Sequence, residues 1–318
     1  MSDTKRLLSH ARRAVDDYNM IEDGDRIAVG ISGGKDSLAL LTALAGLKRF
    51  YPKKFEIIGI SIDMGLEGMD FSGVAKYCEE LGVEYKIVKT EISNIIFNVR
   101  KEPNPCSLCA KMRRGALNLA AVEEGCNKVA LGHHFDDVVE TFMLNLFFEG
   151  RIGTFSPVTY LSRMDITVIR PLIYMPEKDV RYFASKTELP VVTSTCPADG
   201  NTERENMKQL LASIERNNKG LRYRIFGAIQ RGEIDGFKMT RSLKGQLVPI
   251  CVYIVMAVSL NLTVGVLGEL SLGHAGFMSV GAYTGAVCSA LLADLMGHES
   301  IETFSSPSFW ELSSFFFG

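Results

Sequence analysis

The segment Ile27–Leu40, IAVGISGGKDSLAL, constrains the rest of the chain more than any other. An apolar run (Ile27, Ala28, Val29, Ile31) meets Ser32-Gly33-Gly34-Lys35-Asp36-Ser37, and a second apolar stretch from Leu38 to Leu47 follows at helical spacing. The pattern predicts strand, glycine-rich turn and helix. Glycines let the backbone approach a ligand closely and adopt positive φ. Such a turn aims unpaired N–H groups, and the positive end of the helix dipole, at whatever lies in front of it. Ser32 and Ser37 add hydroxyl groups and Lys35 adds a point charge, so the nest suits phosphate oxygens. The spacing is not that of a Walker A loop, which needs G-x-x-x-x-G-K-[ST].

Around this segment the chain alternates. Leu7, Leu8, Ala11, Ala14, Val15 and Tyr18 mark an amphipathic helix. Phe55–Ile62 reads as a buried strand ending at Asp63, followed by a helix over Gly73–Leu81 and a strand over Glu84–Val88. A helix from about Ala110 to Glu124, a strand over Lys128–Leu131 and a helix over Asp136–Phe148 continue the pattern. Further on come strands around Thr167–Arg170 and Pro190–Thr195, a helix over Glu177–Thr187 and a long basic helical region over Glu203–Gln230. The expected fold class is α/β, a parallel sheet flanked by helices. Ligands of such sheets collect at the carboxyl ends of the strands. Ser32–Ser37, Asp63 and Gly132-His133-His134 each follow a predicted strand, so they are expected to face one crevice.

Composition divides the chain. The 35 Lys and Arg nearly balance 37 Asp and Glu, but only Lys244 is basic beyond Arg241, against Glu269, Asp294, Glu299, Glu302 and Glu311. The first 241 residues are therefore slightly basic, too weakly for net charge alone to announce a nucleic-acid partner. Seven cysteines in a chain whose first twenty residues are polar do not suggest a disulfide framework, and the first 240 residues read as cytosolic. Gln246–Gly268 and Leu270–Ala293 carry no charge, and each is long enough to cross a bilayer. The expected organisation is a catalytic domain over 1–237, a junction over 238–245, two transmembrane-like helices over 246–296 and an irregular tail over 297–318. Membrane association through 246–296 is part of that expectation.

Two further clusters carry chemistry. Gly132-His133-His134-Phe135-Asp136-Asp137 sits at a strand end and helix start. Asp136 or Asp137 can hold Mg²⁺ through oxygen, or cap the helix. His133 can donate to a phosphate or polarise a leaving pyrophosphate. Cys106-Ser107-Leu108-Cys109, followed by Lys111, Arg113 and Arg114, fits a metal site, an iron–sulfur site or a redox pair, with Cys196 as the third cysteine. A disulfide or persulfide relay between Cys196 and the pair is the rival arrangement. Cys78 and Cys126 sit in helical surroundings and read as structural.

SGGKDS resembles the PP-loop of the ATP pyrophosphatases. Together with PCSLC before KMRRGAL, GHHFDDVVETFMLNLFFEGR and TCPADGNTERENMKQLL, it resembles the tRNA 2-thiocytidine synthetase family over about residues 1–237. The resemblance implies an adenine nucleotide alpha hydrolase-like fold and ATP-dependent thiolation of cytidine 32 in the tRNA anticodon loop. It implies that Ser32, Gly33, Gly34, Lys35, Asp36 and Ser37 hold ATP, with Asp63 and His133 beside them, and that Asp136 or Asp137 holds magnesium. It implies further that Cys106, Cys109 and Cys196 ligate a [4Fe–4S] cluster. The catalytic set is then Cys106, Cys109, Cys196, Lys35 and His133. The partners implied are tRNA and a sulfur donor such as a cysteine desulfurase, with a homodimer as the assembly. Lysidine synthetases share the PP-loop but need no C-x-x-C, and the thiouridine enzymes with two zinc ribbons need cysteines before Cys78. Residues 243–296 resemble the early membrane region of branched-chain amino-acid ABC permeases, on VPICVYIVMAVSLNLTVG and GELSLGHAGFMSVGAYTGA. Two helices do not make a transporter. The tail therefore reads as a gene remnant, a joining of two reading frames, or a genuine fusion that anchors the enzyme beside a permease.

Overall fold

The computed structural model describes residues 3–66, 68–100, 105–192, 196, 203–238 and 253–255. The chain divides into two units, Met1–Arg241 and Ser242–Gly318. In the second only 253–255 are described, and they are helical. The junction, both apolar runs and the tail otherwise lie outside the described residues, among which no helix is long and apolar enough to cross a membrane.

In the first unit, helix α1 (Asp3–Asp17) precedes β1 (Asp25–Gly30), α2 (Lys35–Lys48), β2 (Phe55–Asp63), α3 (Ser72–Leu81) and β3 (Glu84–Lys89). A π-helical turn (Asn94–Val99) leads to α4 (Pro105–Glu123), β4 (Lys128–Ala130) and α5 (Phe135–Phe148). Then follow β5 (Val158–Leu161), β6 (Ile166–Ile169), α6 (Glu177–Lys186), α7 (Glu203–Asn217) and α8 (Leu221–Arg231). The described strands form one sheet in the order β3-β2-β1-β4-β6-β5. All pairings are parallel except β5 with β6. The chain runs outward from β1 through β2 to β3, then returns to the other side of β1 with β4. That reversal opens a crevice at the carboxyl ends of β1 and β4.

Strand period two explains the layers. Ile27, Val29 and Ile31 point into one core with α1, α2, α5 and α6, whereas Ala28 shares the other with Ile58, Ile60, Val129 and the α4 residues Leu117, Ala120 and Ala121. Helix α2 is enclosed, with Leu38, Leu40, Leu41, Leu44 and Leu47 fully buried. Its outer side is covered by α1, where Leu7, Ala11, Ala14 and Val15 are buried as the amphipathic spacing predicts. At the opposite end from the crevice, Lys128 and Asp25 make a buried ion pair at 2.7 Å. Asn127 also donates to Asp25 at 2.7 Å, tying the starts of β1 and β4.

Four expectations need correction. Helix α4 begins at Pro105, not near Ala110, so Cys106 and Cys109 lie in its first turns. Proline suits a first helical position because its missing N–H would be unpaired there anyway. The antiparallel edge strand β5 was not anticipated, being too short for a periodic signal. The long basic region is two helices, broken where Gly220 takes φ +77°. No strand occupies the described part, 190–192, of the expected Pro190–Thr195 strand, whose remaining residues lie outside the described ones.

Candidate active site

The glycine-rich turn between β1 and α2 is held by its own hydroxyls. Ser32 N–H donates to Ser37 Oγ at 3.2 Å, and Ser37 Oγ donates to the Gly34 carbonyl at 2.9 Å. Gly33 sits at φ +84°. Helix α2 has Gly34 as its N-cap and no side-chain cap, which leaves its first N–H groups for a ligand. Val192 crosses the turn, donating its N–H to the Gly33 carbonyl at 2.9 Å. On the other side Gly132 lies so close that a Cβ there would stand 3.0 Å from the Asp36 carbonyl carbon and oxygen. The ends of β1 and β4 thus meet through a glycine contact, as the crevice requires.

The two histidines divide their work. His134 caps α5: its Nδ1 accepts from Asp137 N–H at 3.3 Å, and its own N–H donates to Asp137 Oδ2 at 2.9 Å. His133 packs at a tilt on Phe155 with centroids 4.9 Å apart, and its buried Nδ1 has no hydrogen-bond partner among the described residues. Burial, reinforced by the charges of Arg170 and Arg204, pushes its pKa down to about 3. His133 therefore offers a neutral imidazole, able to share a hydrogen bond but not to act as a cation.

The carboxylates are committed unequally. Asp136 accepts from Glu177 N–H at 2.7 Å and pairs with Arg222 at 2.7 Å. Asp137 is occupied by the cap and by Arg204 at 3.2 Å. Both hold helices together in the ligand-free chain, and the magnesium role expected of one of them stands as a proposal. Asp36 pairs with Lys35 through Oδ2 at 3.1 Å, while its buried Oδ1, 3.8 Å from His134 Nε2, has no hydrogen-bond partner among the described residues. Magnesium binds through one or two carboxylates plus substrate phosphates and keeps several waters, so Asp36 beside the turn fits that ion. Asp63 accepts from Gly65 N–H at 2.9 Å and shapes the loop after β2.

Cys106 is exposed and Cys109 half-buried against Met64, with the two sulfurs 3.6 Å apart. Met64 belongs to a small apolar cluster with Ile92 and Ile96, against which Leu108 and Met112 pack. Burial raises the Cys109 pKa and Arg113 opposes it, while Cys196 and Cys106 both push it further up. The three sulfurs are therefore close enough for their charges to interact. Among the described residues no three His, Cys, Asp or Glu are already gathered at metal-ligand distance. Of the apolar cluster's cysteine neighbours Cys109 is the one described; thiols are the donors an iron–sulfur cluster takes, and ligation itself draws donors together.

Sequence reasoning missed the hub at Glu177, the first residue of α6. Lys35 lies 3.3 Å from its carboxylate, Lys208 2.8 Å and Arg181 2.9 Å. Part of the basic α7–α8 region is thus turned inward: Lys208 and Arg222 are partly buried on carboxylate partners and Arg204 pairs from the surface, while Arg216, Lys219, Arg224 and Arg231 are exposed. Only Pro176 before Glu177 hinted at a helix start, and nothing local marked the carboxylate as a meeting point. Burial alone would raise the Glu177 pKa, but hydrogen bonds from Lys208 and Arg181 with the charge of Lys35 hold it down at about 2. Its unfolded value lies near ~4.3. A carboxyl group depressed in this way contributes stability that is complete above the unfolded pKa and is lost as pH falls through the folded one. In urea titrations of the ligand-free protein, the wild type is expected to lose about 2 kcal/mol more than Glu177→Gln between roughly pH 5 and pH 2, with allowance for solvent screening. Parallel losses in the two proteins would remove the hub from the stability account.

A parallel sheet that presents SGGKDS at its central carboxyl edge, capped by a second strand-end block, defines a PP-loop nucleotide-binding domain. The PP-loop domain family model matches residues 6–215. A tRNA-cytidine(32) 2-sulfurtransferase of Geobacter sulfurreducens is 40% identical over 228 residues, which is 71% of this chain and 89% of the relative. One from Pseudomonas putida is 41% identical over 71% of this chain and 83% of its own. The solved U34-tRNA thiolase NcsA from Methanococcus maripaludis, with its [4Fe–4S] cluster, superimposes with a TM-score of 0.59 at 30% identity, covering 70% of this chain and 77% of that one. The chain belongs to the tRNA-cytidine(32) 2-sulfurtransferase family of PP-loop proteins. Residues 243–301 match a second model, the branched-chain amino acid transport system / permease component.

Proposed function

We propose that this chain is an ATP-dependent sulfurtransferase that converts cytidine 32 of the tRNA anticodon loop to 2-thiocytidine. The observation that carries the reading is the path from the PP-loop to the cysteines. Val192 is hydrogen-bonded to Gly33, and four residues later the chain reaches Cys196, whose charge is felt at Cys109. In sequence, then, the partner of the nucleotide turn and the third cysteine are near neighbours.

The chemistry follows from what each side can do. The C2 oxygen of cytidine is a poor leaving group. Attack of that oxygen on the α-phosphorus of ATP breaks the bond to the β-phosphate and releases pyrophosphate. Lys35, the Ser32 and Ser37 hydroxyls and the open start of α2 meet the charge that grows on the departing pyrophosphate. A sulfur nucleophile then adds at C2, and the C–O bond breaks with its electron pair leaving on AMP. Neutral His133 would share a hydrogen bond with the reacting groups without adding a cation. Asp36 would hold magnesium, which neutralises phosphate charge. Cys106, Cys109 and Cys196 would ligate three irons of a [4Fe–4S] cluster, which when bound supplies an iron open to sulfide. A base in a single-stranded loop can be splayed out to reach such a crevice.

The same reading assigns the chemistry to residues 1–237, the supply of sulfur to a donor such as a cysteine desulfurase, and the location to the cytoplasm where tRNA is modified. A homodimer belongs to it as well, supported by Phe147, Phe148 and Ile152, which are exposed around the end of α5. The full chain, purified without oxygen, is expected to contain about four irons. It is also expected to form 2-thiocytidine with tRNA, ATP, Mg²⁺ and sulfide. Thiolation of a uridine in place of cytidine 32 would transfer it to the thiouridine enzymes, and modified base formed without iron from a persulfide donor, but not from sulfide, would favour the persulfide relay.

A further inference from the structure

Three cations from three helices converge on one carboxylate oxygen beside the PP-loop. Glu177 Oε1 lies 3.3 Å from Lys35 Nζ at the start of α2, 2.9 Å from an Arg181 guanidinium nitrogen on α6 and 2.9 Å from Lys208 Nζ on α7. Glu177 is buried, and Asp36 is the only other carboxylate with an ion pair to any of the three among the described residues. Glu177 and Asp36 keep Lys35 charged, and Asp136 adds its field to theirs at Arg181. Cationic donors held side by side in this way suit an anion that carries more than one charge.

The surroundings say where such an anion would lie. A cavity of about 480 Å³ opens beside the cluster, lined by Gly34, Lys35, Asp36, Arg181, Ala184, Ser185 and Val191, with Lys208 joined to its cations through Glu177. That is within the usual range for small-ligand sites. It takes in the N-terminal end of α2 and a PP-loop glycine on one side and Arg181 on the other. The cations are also fixed in place by groups outside the cluster. Asp136 receives the Glu177 N–H, and Arg222, paired with Asp136, donates to the Lys208 carbonyl at 3.4 Å. The aspartate that the sequence offered to magnesium thus sets α6 and α7 in register with the PP-loop.

We propose that Arg181 and Lys208 complete the pyrophosphate site: with Lys35 they bind the β- and γ-phosphates of ATP and the pyrophosphate that leaves, and Glu177 holds the three cations together in their absence. This rests on the PP-loop reading above and extends it to two helices that lie far from SGGKDS in sequence. Arg181 is more than half exposed along its side chain, so truncating it leaves the core intact.

The test is equilibrium binding of inorganic pyrophosphate, and separately of AMP, to the full chain. Arg181→Met and Lys208→Met are each expected to weaken pyrophosphate binding roughly tenfold, the scale of one lost charge-assisted hydrogen bond. AMP binding should stay within about twofold, because AMP lacks the two phosphates in question. Arg181→Lys and Lys208→Arg should recover most of the loss. Wild-type pyrophosphate affinity in both methionine variants overturns the inference, as does an equal loss of AMP affinity. An enzyme that thiolates tRNA yet shows either result loses only this inference. A chain with the expected pyrophosphate dependence that makes no 2-thiocytidine keeps the inference and loses the proposed reaction.

Discussion

Alanine at Cys106, Cys109 or Cys196 is expected to cut tRNA thiolation at least ~100-fold, a barrier increase of some 3 kcal/mol, while ATP affinity stays within about twofold. The effect is large because each sulfur would be one of three ligands, and a cluster short of a ligand is released or remodelled, not slightly weakened. It is selective because the thiols contribute little to the PP-loop. Cys106 is exposed, and Cys109 touches Met64 in a satellite cluster that is separate from the main core. Loss of one half-buried thiol there costs little folding stability. Anaerobic purification of each variant, followed by iron content, ATP binding and 2-thiocytidine formation, separates the two effects. Intact thiolation in any one variant would remove that cysteine from the site. Loss of ATP binding in all three would instead mean that the sulfur region is needed to build the nucleotide site.

The second large effect concerns a position with no side chain. Gly33→Ala is expected to reduce ATP affinity about 100-fold or more, with the fold retained. At φ +84° an L-residue is strained by about 1–2 kcal/mol. A Cβ there would also stand 2.8 Å from Val192 Cβ and 2.9 Å from its Cγ2. Those atoms belong to a β-branched side chain with little freedom to turn away. Relief requires moving either the PP-loop or the strap over it, and each movement displaces N–H groups meant for phosphate. Gly34→Ala is the internal control. Its φ is −79° and a Cβ would meet nothing nearer than Ser32 Oγ at 3.5 Å, so its loss should be about tenfold or less. Equal losses at 33 and 34 would show that the damage comes from crowding the ligand and not from strain under the strap. Calorimetric ATP binding to both variants decides between these.

Much of this was legible in the chain itself because the signals are local. A strand needs only a short apolar run, a phosphate turn only adjacent glycines and hydroxyls, and an amphipathic helix only its spacing. The alternation of such pieces implied a parallel sheet and one crevice, and Ser32–Ser37 with His133 stand at strand ends as expected. Cys106 and Cys109 were found by their spacing alone, although the start of their helix was misplaced. Proline and cysteine lend little weight to a helical pattern, and the four residues before Pro105 lie outside the described ones.

What the tertiary structure decided is the partner of each charge. Asp136, Asp137 and Asp36 are the same residue type in similar settings, at the beginning of a helix behind a glycine turn. Sequence could not tell that Asp136 would be taken by Arg222, eighty-six residues away, or Asp137 by Arg204. Nor could it tell that Asp36 would keep a buried oxygen without a hydrogen-bond partner among the described residues. Two cations of the solvent-facing basic region turned inward for the same reason: α7 and α8 pack on α5, so Arg222 finds Asp136 of α5 and Lys208 finds Glu177 of α6. Hydrophobic periodicity and turn chemistry act over a few residues, so the sequence by itself determined the elements, their order and the phosphate turn. Ion pairing acts through space between segments whose separation along the chain carries no pattern, so the fold alone determined which acidic and basic groups the site has left to use.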